Sequence, residues 1–262
     1  MGKSRILFLS ILNLIGFLGI IIINGLANAI PINNKTTGQL SDQYPNLFVP
    51  AGLTFSIWGL IYILLAIFVI YSLIVAFKKN TQHSSFIGNI GILFFVSCLA
   101  NIGWIFAWHY EILPLSLVFM LLLLGSLIMI YIRMRIGKSN SPQTEKYLVH
   151  LPFSIYLGWI TIATIANVTA LLVDLNWNTF GFGEQFWAVA VIIIGIAIAI
   201  NILFTRKDIF FCLVVDWALL GILLKRIAVE MTSDQSVIII AIVGIVLVTV
   251  GIIIQAIRRK IY

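Results

Sequence analysis

Residues 53–77 read LTFSIWGLIYILLAIFVIYSLIVAF, a run of 25 positions without one charged side chain, and Lys78 and Lys79 follow it directly. An α-helix rises about 1.5 Å per residue, so about 20 apolar residues cross the ~30 Å hydrocarbon core of a bilayer. An isolated strand would leave its backbone N–H and C=O groups unbonded in lipid. The run therefore predicts a transmembrane helix.

Seven more apolar runs occur in the chain, at about residues 6–30, 86–108, 113–132, 147–173, 186–204, 209–224 and 237–257. The chain is 61% hydrophobic and 10% charged, with a mean hydropathy of +1.12. A soluble domain is typically about 45–50% apolar and about a quarter charged, so a water-soluble fold is excluded. We predict an all-α integral membrane protein of about eight transmembrane helices. The run 209–224 is the least typical, since it is short and contains Asp216.

The sixteen Lys and Arg residues divide unevenly between the two sides of these predicted helices. Three lie on one side (Lys35, Lys225 and Arg226), and thirteen on the other (Lys3, Arg5, Lys78, Lys79, Arg133, Arg135, Lys138, Lys146, Arg206, Lys207, Arg258, Arg259 and Lys260). Because cytoplasmic loops carry the excess of Lys and Arg, both termini are predicted to be cytoplasmic. The net charge of +7 thus reflects topology, and we expect no nucleic acid partner.

A cleaved signal peptide is the competing interpretation of the first run, because Ala27-Asn28-Ala29 is typical of a cleavage site. The run is about 25 residues long, whereas the apolar core of a signal peptide has about 7–15 residues. We therefore predict a retained helix. The isoleucine-rich composition further suggests a bacterial cytoplasmic membrane.

Aromatic and polar side chains cluster inside three of the predicted helices, where a polar group usually faces protein or a cavity. They are Trp58 and Tyr62 in the second helix, Asn101 and Trp104 in the third, and Tyr156, Trp159 and Asn167 in the fifth. The helical spacing favours a shared cavity lined by aromatic rings. Core packing with interfacial anchoring is the alternative, and anchoring suffices for Trp108, Trp177 and Trp187.

Three segments resemble the TspO or tryptophan-rich sensory protein family, which includes the mitochondrial translocator protein. Residues 49–58 (VPAGLTFSIW) with Tyr62 resemble the entry to that family's second helix. Residues 101–104 (NIGW) resemble the Asn-x-x-Trp of its third helix, and residues 159–167 (WITIATIAN) with Leu175-Asn176 resemble its fifth. The resemblance covers about residues 6–178.

The resemblance implies a five-helix membrane domain over residues 1–178, with a three-helix extension over 179–262 whose role is open. It implies a pocket for a hydrophobic aromatic ligand, such as a porphyrin or haem, closed by the loop 31–52. By resemblance the pocket residues would be Trp58, Asn101, Trp104, Trp159 and Asn167, and the clustering within the helices adds Tyr62 and Tyr156. Besides the ligand, membrane lipid is an expected partner, and a homodimer is left open.

Catalysis and bound cofactors are not expected. Members that degrade porphyrin have a second pocket tryptophan at the position that aligns with Val168 here. Cys98 and Cys212 lie inside apolar runs and are interpreted as buried thiols. The protein is therefore expected to be a sensor or carrier and not an enzyme.

Asp216 suggests an alternative function, because an ionisable side chain inside a membrane is often part of a functional site. It could provide a proton site in a small-molecule transporter, or accept a structural hydrogen bond, with Asn201 as one possible partner. A non-catalytic scaffold, in which the last three helices dock a partner, is the third hypothesis.

Overall fold

The computed structural model describes residues 2–30, 32–78, 84–228 and 235–258. Eight long helices account for most of these residues, and no strand occurs among them. They are α1 (Lys3–Ala29), α2 (Ile57–Phe77), α3 (Leu93–His109), α4 (Leu113–Arg133), α5 (Leu151–Asp174), α6 (Glu184–Arg206), α7 (Ile209–Ala228) and α8 (Gln235–Ile257). The predicted all-α fold is confirmed.

Six helical stretches of the described chain are long and apolar enough to cross a membrane. They comprise α1, α4, α6, α8, and the extended segments Gly52–Phe77 and Gln143–Asp174, which contain α2 and α5. Helix α3 is apolar but has 17 residues, and α7 has 20 residues but carries Asp216, Lys225 and Arg226. The chain is thus a multi-pass integral membrane protein. Lys79, Arg259 and Lys260, which were used to predict orientation, lie outside the described residues.

The chain forms two compact units. Unit 1 comprises the residues up to Thr36 together with Trp58–Leu157, and unit 2 comprises Thr37–Ile57 together with the residues from Gly158 onward. Helix α5 therefore begins in unit 1 and continues in unit 2. The predicted domain boundary at 178/179 follows from the resemblance alone and stays a prediction.

In unit 1, α3 packs against α1 and α4, and a phenylalanine cluster joins α2, α3 and α5. The ring centroid of Phe68 lies 5.2 Å from that of Phe94 and 4.9 Å from that of Phe153. Both pairs meet edge to face, the arrangement that aligns a ring's positive edge with its neighbour's negative face. All three rings are fully buried, so this cluster fixes the spacing of the helices.

In unit 2, the segment Thr37–Ile57 is anchored on α7. The Ala51 N–H donates to the Gly221 carbonyl at 2.9 Å, and the Trp217 Nε1–H donates to the Thr54 carbonyl at 2.9 Å. Lys225, which is also on α7, forms a salt bridge with Asp42 of the segment. A Cβ atom at position 221 would lie 2.8 Å from Thr54 Cγ2, so only glycine permits this approach. The C-terminal helices thus hold a segment that lies before α2 in the sequence.

Candidate ligand-binding site

Four aromatic rings in unit 1 form a stacked column in the order Tyr62, Trp58, Trp104, Trp108. Successive ring centroids lie 5.5, 6.0 and 6.1 Å apart, with interplanar angles of 23°, 28° and 22°. The column exists because Trp58 and Tyr62 are four residues apart on α2, as Trp104 and Trp108 are on α3, so each pair shares one helix face. This aromatic column is the buried, tryptophan-rich cluster of the protein.

Tyr156 and Asn101 join the column to its surroundings within unit 1. The Tyr156 ring meets Trp58 edge on, with centroids 6.1 Å apart. Asn101 Oδ1 accepts a hydrogen bond from Asn24 Nδ2 at 2.8 Å, and Asn101 Nδ2 donates to Tyr156 Oη at 3.3 Å. The amide of Asn101 therefore connects α1, α3 and the start of α5.

Two polar atoms of the column are buried without a hydrogen-bond partner among the described residues: Tyr62 Oη and Trp104 Nε1. The same holds for the side-chain amide of Asn13, which is also in unit 1. A buried donor left unsatisfied costs about 1–3 kcal/mol. An acceptor atom on a ligand beside the column would remove that cost.

Trp159 and Asn167, the remaining predicted pocket residues, belong to unit 2. Both are buried, and the Trp159 ring meets Phe55 edge to face at 6.0 Å. The structure thus brings Trp58, Tyr62, Asn101, Trp104 and Tyr156 together within unit 1. That all seven residues line one pocket stays a prediction.

Unit 2 contains a cleft of about 570 Å³ that the sequence did not predict. It lies between the second half of α5, the start of α6 and the segment 45–48. The lining comprises Pro45, Asn46, Leu47, Phe48, Thr164, Ile165, Val168, Thr169, Leu172, Val173, Asn176, Trp177, Thr179, Glu184, Trp187, Ala188 and Val191. The available signal was the spacing of Thr164, Val168 and Leu172, which places them on one helix face.

The three tryptophans interpreted as interfacial anchors also have contacts within the protein. Trp108 is 5% exposed because it packs on Trp104 at the end of the column. Trp177 and Trp187 form a tilted pair with centroids 4.9 Å apart, and Trp187 Nε1–H donates to the Thr179 carbonyl at 2.8 Å. These contacts do not test the anchoring interpretation, which stays a prediction.

Asp216 is half-buried on α7, and its hydrogen-bond partner is Thr249 rather than the possible partner Asn201. Its Oδ2 accepts a hydrogen bond from Thr249 Oγ1 of α8 at 2.9 Å, whereas Asn201 is exposed on α6. Its Oδ1 is buried and has no hydrogen-bond partner within the described ranges. The carboxylate therefore connects α7 to α8 through one of its two oxygens.

A comparison with protein families matches residues 10–254 to the family described as TSPO-like protein. No curated protein and no solved structure matches the chain. The family match reaches beyond the five-helix resemblance and includes α6, α7 and most of α8. Because it spans nearly the whole described chain and agrees with the buried tryptophan cluster, this membrane protein belongs to the TSPO-like protein family.

Proposed function

We propose that the protein binds a hydrophobic aromatic molecule, such as a tetrapyrrole, against the aromatic column and acts as a sensor or carrier. The observation that carries the proposal is the stacking of Trp58 on Trp104 in a column whose Trp104 Nε1 and Tyr62 Oη are buried without a hydrogen-bond partner among the described residues. Family membership supports the same class of function.

The column suits a flat, aromatic ligand for two physical reasons. Trp58 and Tyr62 are half-buried, so a ligand can contact the exposed part of each ring, and an aromatic pair adds about 0.5–1.5 kcal/mol beyond area burial. The Trp104 Nε1–H and Tyr62 Oη could donate to polar atoms at the ligand's edge. Ligand pockets are typically apolar with a few such polar groups, which fix the ligand's orientation.

Titration of the purified protein with a porphyrin, followed by tryptophan fluorescence, tests this proposal. We expect saturable quenching in the wild-type protein. The variant Trp58→Leu should bind about three- to tenfold more weakly, because a stacking partner is lost. The variant Trp104→Phe keeps an aromatic ring but removes the donor, so a weaker affinity in this variant reports the lost hydrogen bond together with the smaller ring surface.

Trp177→Phe is the matched control, since it removes an indole from unit 2 and should leave the porphyrin affinity unchanged. Absence of saturable quenching would contradict the proposal. Unchanged affinity in both Trp58→Leu and Trp104→Phe would also contradict it.

A proton-coupled transporter is the second candidate, and the geometry of Asp216 favours it. One carboxylate oxygen is held by Thr249 and the other is buried without a partner among the described residues. Such a group can accept a proton at the unoccupied oxygen while its position stays fixed. Ionisable residues in membrane helices often belong to proton relays.

Substrate flux into proteoliposomes under a pH gradient tests the transporter hypothesis. Flux should respond to the gradient in the wild-type protein and lose that response in Asp216→Asn. Asp174→Asn is the control, because Asp174 is an exposed acid at the end of α5. A gradient response that persists in Asp216→Asn removes the candidate.

A further inference from the structure

The walls of the unit 2 cleft are mainly apolar along its length. On α5 the lining runs from Thr164 to Val173, nine residues or roughly 14 Å along the helix axis. On α6 it reaches from Glu184 to Val191. A volume of about 570 Å³ lies within the range of small-molecule sites, which is about 300–1,000 Å³. The cleft can therefore hold a ligand with an extended apolar part.

One end of the cleft has a negative charge and aromatic rings. Among the described residues that line it, Glu184 is the one ionisable side chain. The tilted pair of Trp177 and Trp187 lines the same cleft, and the hydrogen bond from Trp187 Nε1 to the Thr179 carbonyl fixes that indole. Indole faces attract cations, by about 0.5–2 kcal/mol depending on exposure. A carboxylate beside aromatic rings thus favours a cationic group.

The charged end coincides with the end of the two helices that form the cleft. Glu184 is the first residue of α6, and three exposed aromatic side chains lie near it: Phe180 and Phe182 in the connection from α5, and Phe186 in the first turn of α6. Exposed aromatic residues next to the ends of membrane helices are typical of the lipid headgroup region. The apolar part of the cleft then runs alongside the hydrocarbon, and the charged end faces the interface.

We propose that this cleft is a second binding site, which takes an amphiphile with an apolar chain and a single ammonium group. The ammonium group lies against Glu184 and the indoles of Trp177 and Trp187. The chain follows the face of α5 formed by Val168 and Leu172. None of the lining residues belongs to the aromatic column, and all of them belong to unit 2.

Binding of a brominated dodecyltrimethylammonium probe tests the site, because bromine quenches nearby tryptophans. The protein is studied in dodecyl maltoside micelles, with a brominated dodecanol of equal chain length as the uncharged probe. We expect saturable quenching by the cationic probe. Glu184→Gln should weaken that binding about tenfold, the effect of losing about 1.4 kcal/mol, and leave the dodecanol probe unaffected.

Two further variants complete the test. Asp174→Asn removes an exposed acid that does not line the cleft, so it should bind the cationic probe within about twofold of wild type. Val168→Trp fills the cleft and should abolish binding of both probes, provided that circular dichroism shows an intact helical fold. Equal binding of the cationic probe by Glu184→Gln and wild type overturns the proposal, and so does equal affinity for the two probes in the wild-type protein.

The ammonium amphiphile has two sources, a membrane lipid or a free long-chain amine. Adding phosphatidylethanolamine to the micelles distinguishes them. Displacement of the probe, with loss of this displacement in Glu184→Gln, identifies lipid as the occupant. Retention of the probe supports the site with a free amine as its ligand.

Discussion

At the scale of single residues, hydrogen bonding decides what the membrane asparagines do. Asn24 Nδ2 donates both to Asn101 Oδ1 and to the Ile20 carbonyl, and Asn101 in turn donates to Tyr156. A polar bond between membrane helices is typically worth about 0.6–2 kcal/mol. The sequence predicted Asn101 as a pocket residue, and the structure shows that its side chain also joins three helices.

Asn101→Leu should lower the thermal stability of the purified protein. The change removes both hydrogen bonds and leaves the buried amide of Asn24 with one acceptor fewer, so we expect a loss of about 1–2 kcal/mol. A double-mutant cycle with Asn24→Ala should give a coupling energy near 1 kcal/mol. Asn201→Leu is the control, because Asn201 is exposed on α6 and should have little effect. Additive effects of Asn24→Ala and Asn101→Leu would contradict the proposed link.

Gly221→Ala should loosen the attachment of the segment Thr37–Ile57 to α7, although the change adds only one methyl group. The added methyl group would overlap Thr54, because it would lie 2.8 Å from Cγ2 and 2.9 Å from Cβ. We expect faster amide hydrogen exchange at Ala51, whose N–H donates to the Gly221 carbonyl. Gly125→Ala provides the control, since nothing lies within 4 Å of its added atom. Equal exchange rates in wild type and Gly221→Ala would show that the segment does not depend on this contact.

At the scale of elements, the sequence predicted the helices well and their partners poorly. The run 53–77 alone gave nearly the bounds of α2, since its apolar length determines the helix. The anchoring of Thr54 to Trp217 joins residues 163 positions apart, and no local pattern contains that information. For the same reason, Thr249 was not foreseen as the partner of Asp216. Local spacing predicted that Trp58 and Tyr62 share one helix face, as Trp104 and Trp108 do, whereas the stacking of these pairs and the unit 2 cleft required the tertiary structure.

The contacts that anchor Thr37–Ile57 on α7 should differ in strength. The Asp42–Lys225 pair is more than half exposed on the Asp42 side, so Lys225→Met should change stability by less than about 1 kcal/mol. Trp217→Phe removes a hydrogen bond from a half-buried indole and should cost more, about 1–1.5 kcal/mol. Thermal unfolding of both variants with and without 1 M salt measures the difference. A larger effect from Lys225→Met would reverse this ranking.

At the scale of the whole molecule, the distribution of positive charge predicts which side of the membrane each loop occupies. The connection between α4 and α5 should be cytoplasmic, and that between α5 and α6 should lie outside. Asn140→Cys and Asn178→Cys, each in a background lacking Cys98 and Cys212, should react with an impermeant maleimide from opposite sides. In intact cells, only Asn178→Cys should be labelled. Labelling of Asn140→Cys in intact cells would invert the predicted orientation.

The anchoring of Ala51 by Gly221 has a consequence for biosynthesis. A ribosome that adds about 5–20 residues per second reaches position 221 roughly 10–30 s after position 51. Residues 37–57 are therefore synthesised long before the Gly221 carbonyl that anchors them. Until α7 is made, this segment remains without its binding partner next to the translocation machinery. A messenger RNA truncated after codon 178 would yield a nascent chain that lacks Gly221. In this chain residues 37–57 should be cleaved by added protease, because the segment has no helix to bind.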